Sequence, residues 1–306
     1  MNRVFLTMDS GGSKTKLALY SIGGDLICER IAQGFGTATD GENVLPEALA
    51  VLSDFCEGYC VSPVICNLGG KNKKQMAITL KAAFPDAEIN VFRESEGTIG
   101  LALCEKYSSD VVLMAGTGSI AIAKIGENAV VCGGWGANIS DKGSGYQLGL
   151  DALRLVLEEL DGTEALSLLA RSLTGVNQAP GIMTAAEYCA FRDSIRKTLA
   201  PFDRAHIASF AKKVYECALQ GDKSAIALYE RTGLDLADIV ISAAKKGEIG
   251  LRGVVVNGGM VNAKEFWQSS FESRLFNAYG KIKIHYLTSG IDDAMCDMAK
   301  RMIKGE

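Results

Sequence analysis

The chain has 306 residues, 48% apolar and 22% charged, with a net charge of −4. That length sets about two domains with buried cores, and the acidic balance argues against a nucleic-acid partner. Two histidines, His206 and His285, leave little room for a His-based triad or a His-rich metal site, while 34 glycines stand out at about 11% against a usual 7%.

Residues 3–8 and 16–22 read as strands joined by the turn Asp9-Ser-Gly-Gly-Ser-Lys-Thr15, and Gly23-Gly24 leads to a third strand over 25–31. A helix is expected over 43–58, with Asn43 as its cap and Pro46 in its first turn. Pro63–Asn67 reads as a short buried strand, 72–83 as a helix, 88–92 as a strand and 95–107 as a helix. The pattern then restarts with strand Val111–Ala115, turn Gly116-Thr-Gly-Ser119, strand Ile120–Ile125 and a turn into 129–132. Met8/Met114, Gly12/Gly118 and Ser13/Ser119 match, as do Ala18/Ala121, Ile22/Ile125 and Gly23/Gly126 after a three-residue gap. An internal duplication accounts for these identities; two unrelated hairpins are the competing reading. Helices follow over 144–160, 163–173, 184–198, 203–219 and 222–246, then strand 252–256, helix 262–277, strand 281–286 and helix 291–303. The order is α/β, two mixed sheets flanked by helices with a cleft between the halves. The polar break Lys106–Asp110 marks the expected boundary.

Nine cysteines, an odd number with no Cys-x-x-Cys, read as reduced thiols of a cytoplasmic protein. The N-terminal apolar stretch meets Asp9 and reads as a strand, not a signal peptide. No apolar run reaches the roughly 18 residues of a membrane span.

Gly11 and Gly12 open backbone N–H groups to an anion, and Ser13, Lys14 and Thr15 add hydroxyls and a cation. Asp9 is a hard carboxylate suited to Mg²⁺. An ordinary Gly-Gly hairpin explains the glycines but not the carboxylate before them. Gly116, Thr117, Gly118 and Ser119 form a second such turn, and two phosphate cradles at duplicated positions suit a triphosphate held between two lobes. Neither a P-loop nor a Rossmann fingerprint is present. Gly258 and Gly259 end an apolar strand and let a planar base lie against backbone; a tight strand-to-helix turn accounts for them equally. Gly69 and Gly70 lie past another strand end and read as substrate-facing loop.

The segment Cys132–Tyr146 holds five glycines, Trp135 and one acid, Asp141. Asp141 can accept hydrogen bonds from two adjacent sugar hydroxyls, or oppose a helix dipole from its N-terminal side. Glu94 or Glu96 can serve as a general base, with a solvated first-turn charge as the alternative for one of them.

Taken together, these segments resemble the sugar kinase–Hsp70–actin (ASKHA) superfamily, and within it the N-acetylglucosamine kinase and BadF/BadG/BcrA/BcrD ATPase family. The two phosphate motifs are matched at Asp9–Thr15 and Ala115–Ser119, the adenosine motif at Asn257–Gly259, and the Gly-Gly-Trp-Gly segment at Gly133–Ser144. The resemblance implies two ribonuclease-H-like domains, 1–109 and 110–290, with helix 291–304 packing on the first, and possible homodimers. It also implies ATP and Mg²⁺ in the cleft and phosphoryl transfer to a hydroxyl of a small-molecule amino sugar. Glu94 stands where such kinases place a catalytic Asp. The sugar-reading positions depart from the pattern at Ala38, Asp40, Ile120 and Lys142, so the acceptor is less clearly written than the nucleotide. Two further classes stay open: an ATPase that activates a redox partner, disfavoured by Ala115 where a cysteine is wanted, and a nucleotide or sugar sensor without turnover.

Overall fold

The structure is a computed structural model that describes residues 2–11, 14–35, 43–69, 73–162 and 165–305. β1 (Asn2–Ser10) sets the plan of the first half. Val4, Leu6 and Met8 face one apolar core, and Phe5 faces another. A strand buried on both faces belongs inside a sheet with helices on both sides. β2 (Lys14–Ser21) pairs with it antiparallel and β4 (Tyr59–Leu68) parallel. With β3 (Leu26–Gln33) and β5 (Ile89–Arg93) at the edges, the order is β3-β2-β1-β4-β5. α1 (Pro46–Phe55) and α2 (Lys73–Ala83) cover the outer face through Ala48, Leu52, Met76 and Leu80.

The second sheet repeats that succession as β8-β7-β6-β9-β10, built from β6 (Val111–Ala115), β7 (Ser119–Ile125), β8 (Asn128–Gly133), β9 (Gly253–Asn257) and β10 (Lys283–Leu287). β6 alternates as β1 does. Val111, Leu113 and Ala115 enter a large core with α4 (Gly145–Asp161), α7 (Arg204–Leu219), α8 (Lys223–Lys246) and α9 (Lys264–Tyr279), while Val112 and Met114 turn to the other side. α5 (Leu168–Thr174) and α6 (Ala185–Leu199) extend the outer helical layer.

The inner faces meet through α3 (Thr98–Lys106) and α10 (Gly290–Lys304). One apolar cluster joins Phe5 and Ile65 of the first sheet, Leu103 and Met295 of the two helices, and Val112 and Val255 of the second sheet. α10 packs on β1, β4 and α3, and the Lys16–Asp292 and Lys106–Asp297 ion pairs flank it. Among the described residues no helix is long and apolar enough to cross a membrane.

Several boundaries differ from expectation for local reasons. α1 begins at Pro46, with Leu45 and not Asn43 at its cap, because proline's missing N–H costs nothing at the first helical position. β4 starts at Tyr59, ahead of the expected Pro63; proline withholds a ladder donor, and the ladder shifts register between Val4 and Leu6 to absorb it. The helix expected over 95–107 divides into a 3-10 turn over Glu94–Glu96 and α3 after Gly97. α5 starts at Leu168, where the Ser167 hydroxyl accepts the Ala170 N–H.

Candidate active site

β1 and β4 end side by side, and their last residues build the first wall of the cleft. Asp9 lies opposite Asn67 in the ladder, and the Asn67 amide donates to Asp9 Oδ1 at 2.9 Å. Burial pushes the Asp9 pKa up to about 6 against that hydrogen bond, and Asp292 of α10 raises it further while Lys14 and Lys16 pull it down. The turn is braced from within. Thr15, expected to offer its hydroxyl to phosphate, is fully buried and spends it on Ser10 and the Phe35 N–H. Lys14 stays exposed, and the Gly69 N–H donates to the Ser10 carbonyl, drawing the β4 loop onto the turn. Gly12, Ser13 and Gly70 lie outside the described residues, as do Ala38 and Asp40.

β5 delivers the acids. Glu96 reaches outward, accepting from the Lys73 ammonium at 2.7 Å and from the Arg93 N–H. Glu94 turns inward: a methyl placed on Gly69 would lie 3.7 Å from Glu94 Oε2 and 3.6 Å from Gly11 Cα. Burial, then the nearby Asp9 and Asp141 carboxylates, push the Glu94 pKa up to about 7, and Arg204 pulls it back. Of the two candidate bases, Glu94 is thus the one that faces Asp9 and Asp141, and Glu96 is the one that faces outward.

The second wall is the turn between β6 and β7. Gly116 N–H donates to the Gly118 carbonyl, and the Gly145 and Tyr146 N–H groups at the start of α4 hold the carbonyls of Gly116 and Thr117. Ser119, also expected among the phosphate donors, is buried and donates its hydroxyl to the Lys142 carbonyl at 2.6 Å. It ties the turn to the glycine-rich loop instead.

In that loop Asp141 is 2% exposed. Its Oδ1 accepts the Gly136 N–H at 3.1 Å, and its Oδ2 accepts from Arg204 Nη2 at 3.1 Å. It stands three residues before Ser144, whose hydroxyl caps α4 by accepting the Gln147 N–H. Asp141 therefore organises its loop and holds Arg204; it is not a first-turn helix acid. Gly118 leaves room for this arrangement, since a Cβ there would sit 3.0 Å from Arg204 Nη2 and 3.2 Å from Asp141 Oδ2. Trp135 lies apart from these contacts: it is 71% exposed and lines a cavity of about 330 Å³ with Lys142, Asp238 and Lys246.

Gly258 follows β9 with φ +123°, and a Cβ on it would come 2.5 Å from the Ala115 carbonyl oxygen. Only glycine lets the β9 turn lie directly against the end of β6. Gly259 then opens the 3-10 turn that leads into α9.

Asp9, Gly11, Gly69, Glu94, Gly118 and Asp141 thus converge from both halves, with Glu94 electrostatically coupled to its neighbours on each side. Asn67, Asp292 and Arg204 were not singled out from the sequence. An asparagine closing an apolar strand was a readable signal for Asn67; nothing local marked the other two.

The chain is similar in sequence and in fold to several known proteins. It is 23% identical to an N-acetylmuramic acid/N-acetylglucosamine kinase of Clostridium acetobutylicum across 90% of the chain and 92% of that protein. It is 24% identical to a glucosamine kinase of Vibrio cholerae across 79% of the chain and 81% of that protein. In fold it is similar to a protein of Chromobacterium violaceum described as an N-acetylglucosamine kinase, with a TM-score of 0.66, 20% identity and coverage of 98% and 99%. It is similar also to a glucokinase of Streptomyces griseus solved with glucose and AMPPNP, with a TM-score of 0.56, 13% identity and coverage of 97% and 99%. The model of the BadF/BadG/BcrA/BcrD ATPase family matches residues 6–292, and the chain belongs to that family.

Proposed function

We propose that the protein is an ATP-dependent kinase that transfers the γ-phosphoryl group to a hydroxyl of an amino sugar. The observation that carries this reading is Glu94, an inward carboxylate with its pKa raised to about 7, set between the Asp9 turn and the Gly116–Ser119 turn. In the reaction the acceptor oxygen attacks the γ-phosphorus as its proton passes to Glu94. The bond from the γ-phosphorus to the bridging oxygen breaks, and its electron pair leaves on ADP. Positioning and charge neutralisation carry most of the catalysis in such transfers.

Asp9 fits a hard cation. Asn67 orients its carboxylate, and the buried Asn67 Oδ1 has no hydrogen-bond partner, an acceptor available to a metal-held water. Among the described residues no three metal-ligating side chains gather, so Mg²⁺ would take its other ligands from phosphate and water, its usual habit. When bound, Mg²⁺ supplies neutralisation of phosphate charge. The two glycine turns bind phosphates through backbone N–H groups, the Gly258–Gly259 turn takes the adenosine, and the loop from Gly133 to Asp141 faces the sugar.

The relatives differ in acceptor, and the sugar-reading positions here depart from the family pattern, so the test is a panel. ADP release is followed with N-acetylglucosamine, glucosamine, N-acetylmuramic acid and glucose. At least one amino sugar is expected to stimulate turnover above the sugar-free rate. No stimulation by any of them overturns the reading.

A further inference from the structure

The Gly116–Ser119 turn offers phosphate only backbone and hydroxyl groups, and its Ser119 hydroxyl is already spent on Lys142. The first turn has Lys14; the second has no cation of its own. Around both stand three carboxylates, Asp9, Glu94 and Asp141. A triphosphate brought among them meets repulsion unless a cation stands on the second wall.

Arg204 is at that place. Its Nη2 donates to Asp141 Oδ2 at 3.1 Å and would lie 3.0 Å from a Cβ on Gly118, so the guanidinium rests against the backbone of the turn. Its charge reaches Glu94, whose carboxylate it favours. The side chain is 40% exposed while Asp141 is 2% exposed, so Asp141 fixes one edge of the fork and the rest of it stays open to solvent. A guanidinium carries five donors in one plane, a geometry matched to phosphate oxygens.

We propose that Arg204 binds the γ-phosphoryl group of ATP and stabilises its charge during transfer. Asp141 is then a positioning residue that holds the guanidinium against Gly118. This deepens the kinase reading and rests on it, but its first readout does not need turnover. An arginine that only pins α7 to the glycine-rich loop would affect all nucleotides alike, whereas one aimed at the γ-phosphate separates ATP from ADP.

The test measures binding of ADP and of AMPPNP, each with Mg²⁺ and without sugar, by titration calorimetry on the full chain. Arg204→Ala is expected to weaken AMPPNP by about tenfold or more, the worth of a charge-assisted hydrogen bond, with ADP changed less than about twofold. Arg204→Lys, which keeps the charge and loses the fork, is expected to fall between. Because a lone Arg204→Ala leaves the buried Asp141 charge unpaired and can unfold the protein, the double variant Arg204→Ala/Asp141→Asn repeats the measurement with both charges removed. Its preference for AMPPNP over ADP is expected to be lost in the same way. Equal weakening of both nucleotides, or of neither, overturns the proposal. Absence of sugar-stimulated turnover in the wild type would instead overturn the kinase reading and leave this comparison standing.

Discussion

In the proposed reaction Glu94 takes the acceptor's proton, and its surroundings set two opposite pH responses. A base must be ionised to accept a proton, so kcat/KM is expected to rise with pH through about 7. Stability runs the other way. The native pKa values of Asp9 and Glu94, about 6 and about 7, lie above their ordinary 3.8 and 4.5, so between about pH 4 and 7 the native state binds more protons than the unfolded one. The ligand-free protein is therefore expected to lose thermal stability as pH rises through that window, read as Tm against pH. Glu94→Gln is expected to flatten that slope, to lower kcat by about 10²- to 10⁴-fold, and to leave ATP affinity in place. At this scale the sequence was legible where a proposed role sits in local backbone. Asp9 before Gly11, and the glycines at 116 and 118, stand at strand ends as expected because each set lies within one short turn. Arg204 was not legible. It lies 63 residues from Asp141 and opens a helix, where a cation opposes the dipole and reads as an accident of the surface. Only the fold shows the carboxylate that keeps it there. Thr15 and Ser119 misled for the converse reason: a hydroxyl in a phosphate turn can face inward, and the sequence does not say which way it points.

Among elements, the two sheets were the most legible part, because β1, β6 and β9 are apolar runs ended by turn residues and bury both faces. Helix ends were less so. Asn43 is a good cap by composition, but Pro46 takes the first helical position and fixes the start. The break after Glu96 was hidden because its cause is tertiary: a Cβ on Gly97 would come 2.6 Å from the Cβ of Ala129 in β8. The junction of β6 and β9 gives the clearest prediction here. Gly258→Ala adds a methyl that meets the Ala115 carbonyl in a backbone conformation alanine rarely takes. It is expected to cost about 1–3 kcal/mol in chemical denaturation and, if the proposed adenosine role of this turn holds, to weaken ATP, since the turn must withdraw from the Gly116–Ser119 turn.

The whole molecule is two copies of one strand order, joined where α3 and α10 fill the space between the sheets. The chain therefore crosses between the halves twice, once from α3 into β6 and again from β10 into α10. Any closing of the cleft must bend both crossings together. The shared core is expected to make the halves one cooperative unit. Met295→Ala, at a fully buried position on α10, is expected to cost about 2–5 kcal/mol. It should lower the denaturation midpoint reported by probes in either half, not in one alone.

That shared core has a consequence for how the protein is made. Phe5 and Ile65 belong to the first sheet, yet their cover includes Ile291 and Met295. A domain that leaves the ribosome first ordinarily folds first. Here the early half carries an open apolar face until residues 290–304 have been synthesised. A chain ended before residue 290 would therefore lack the last cover of that face and leave its first half unfinished.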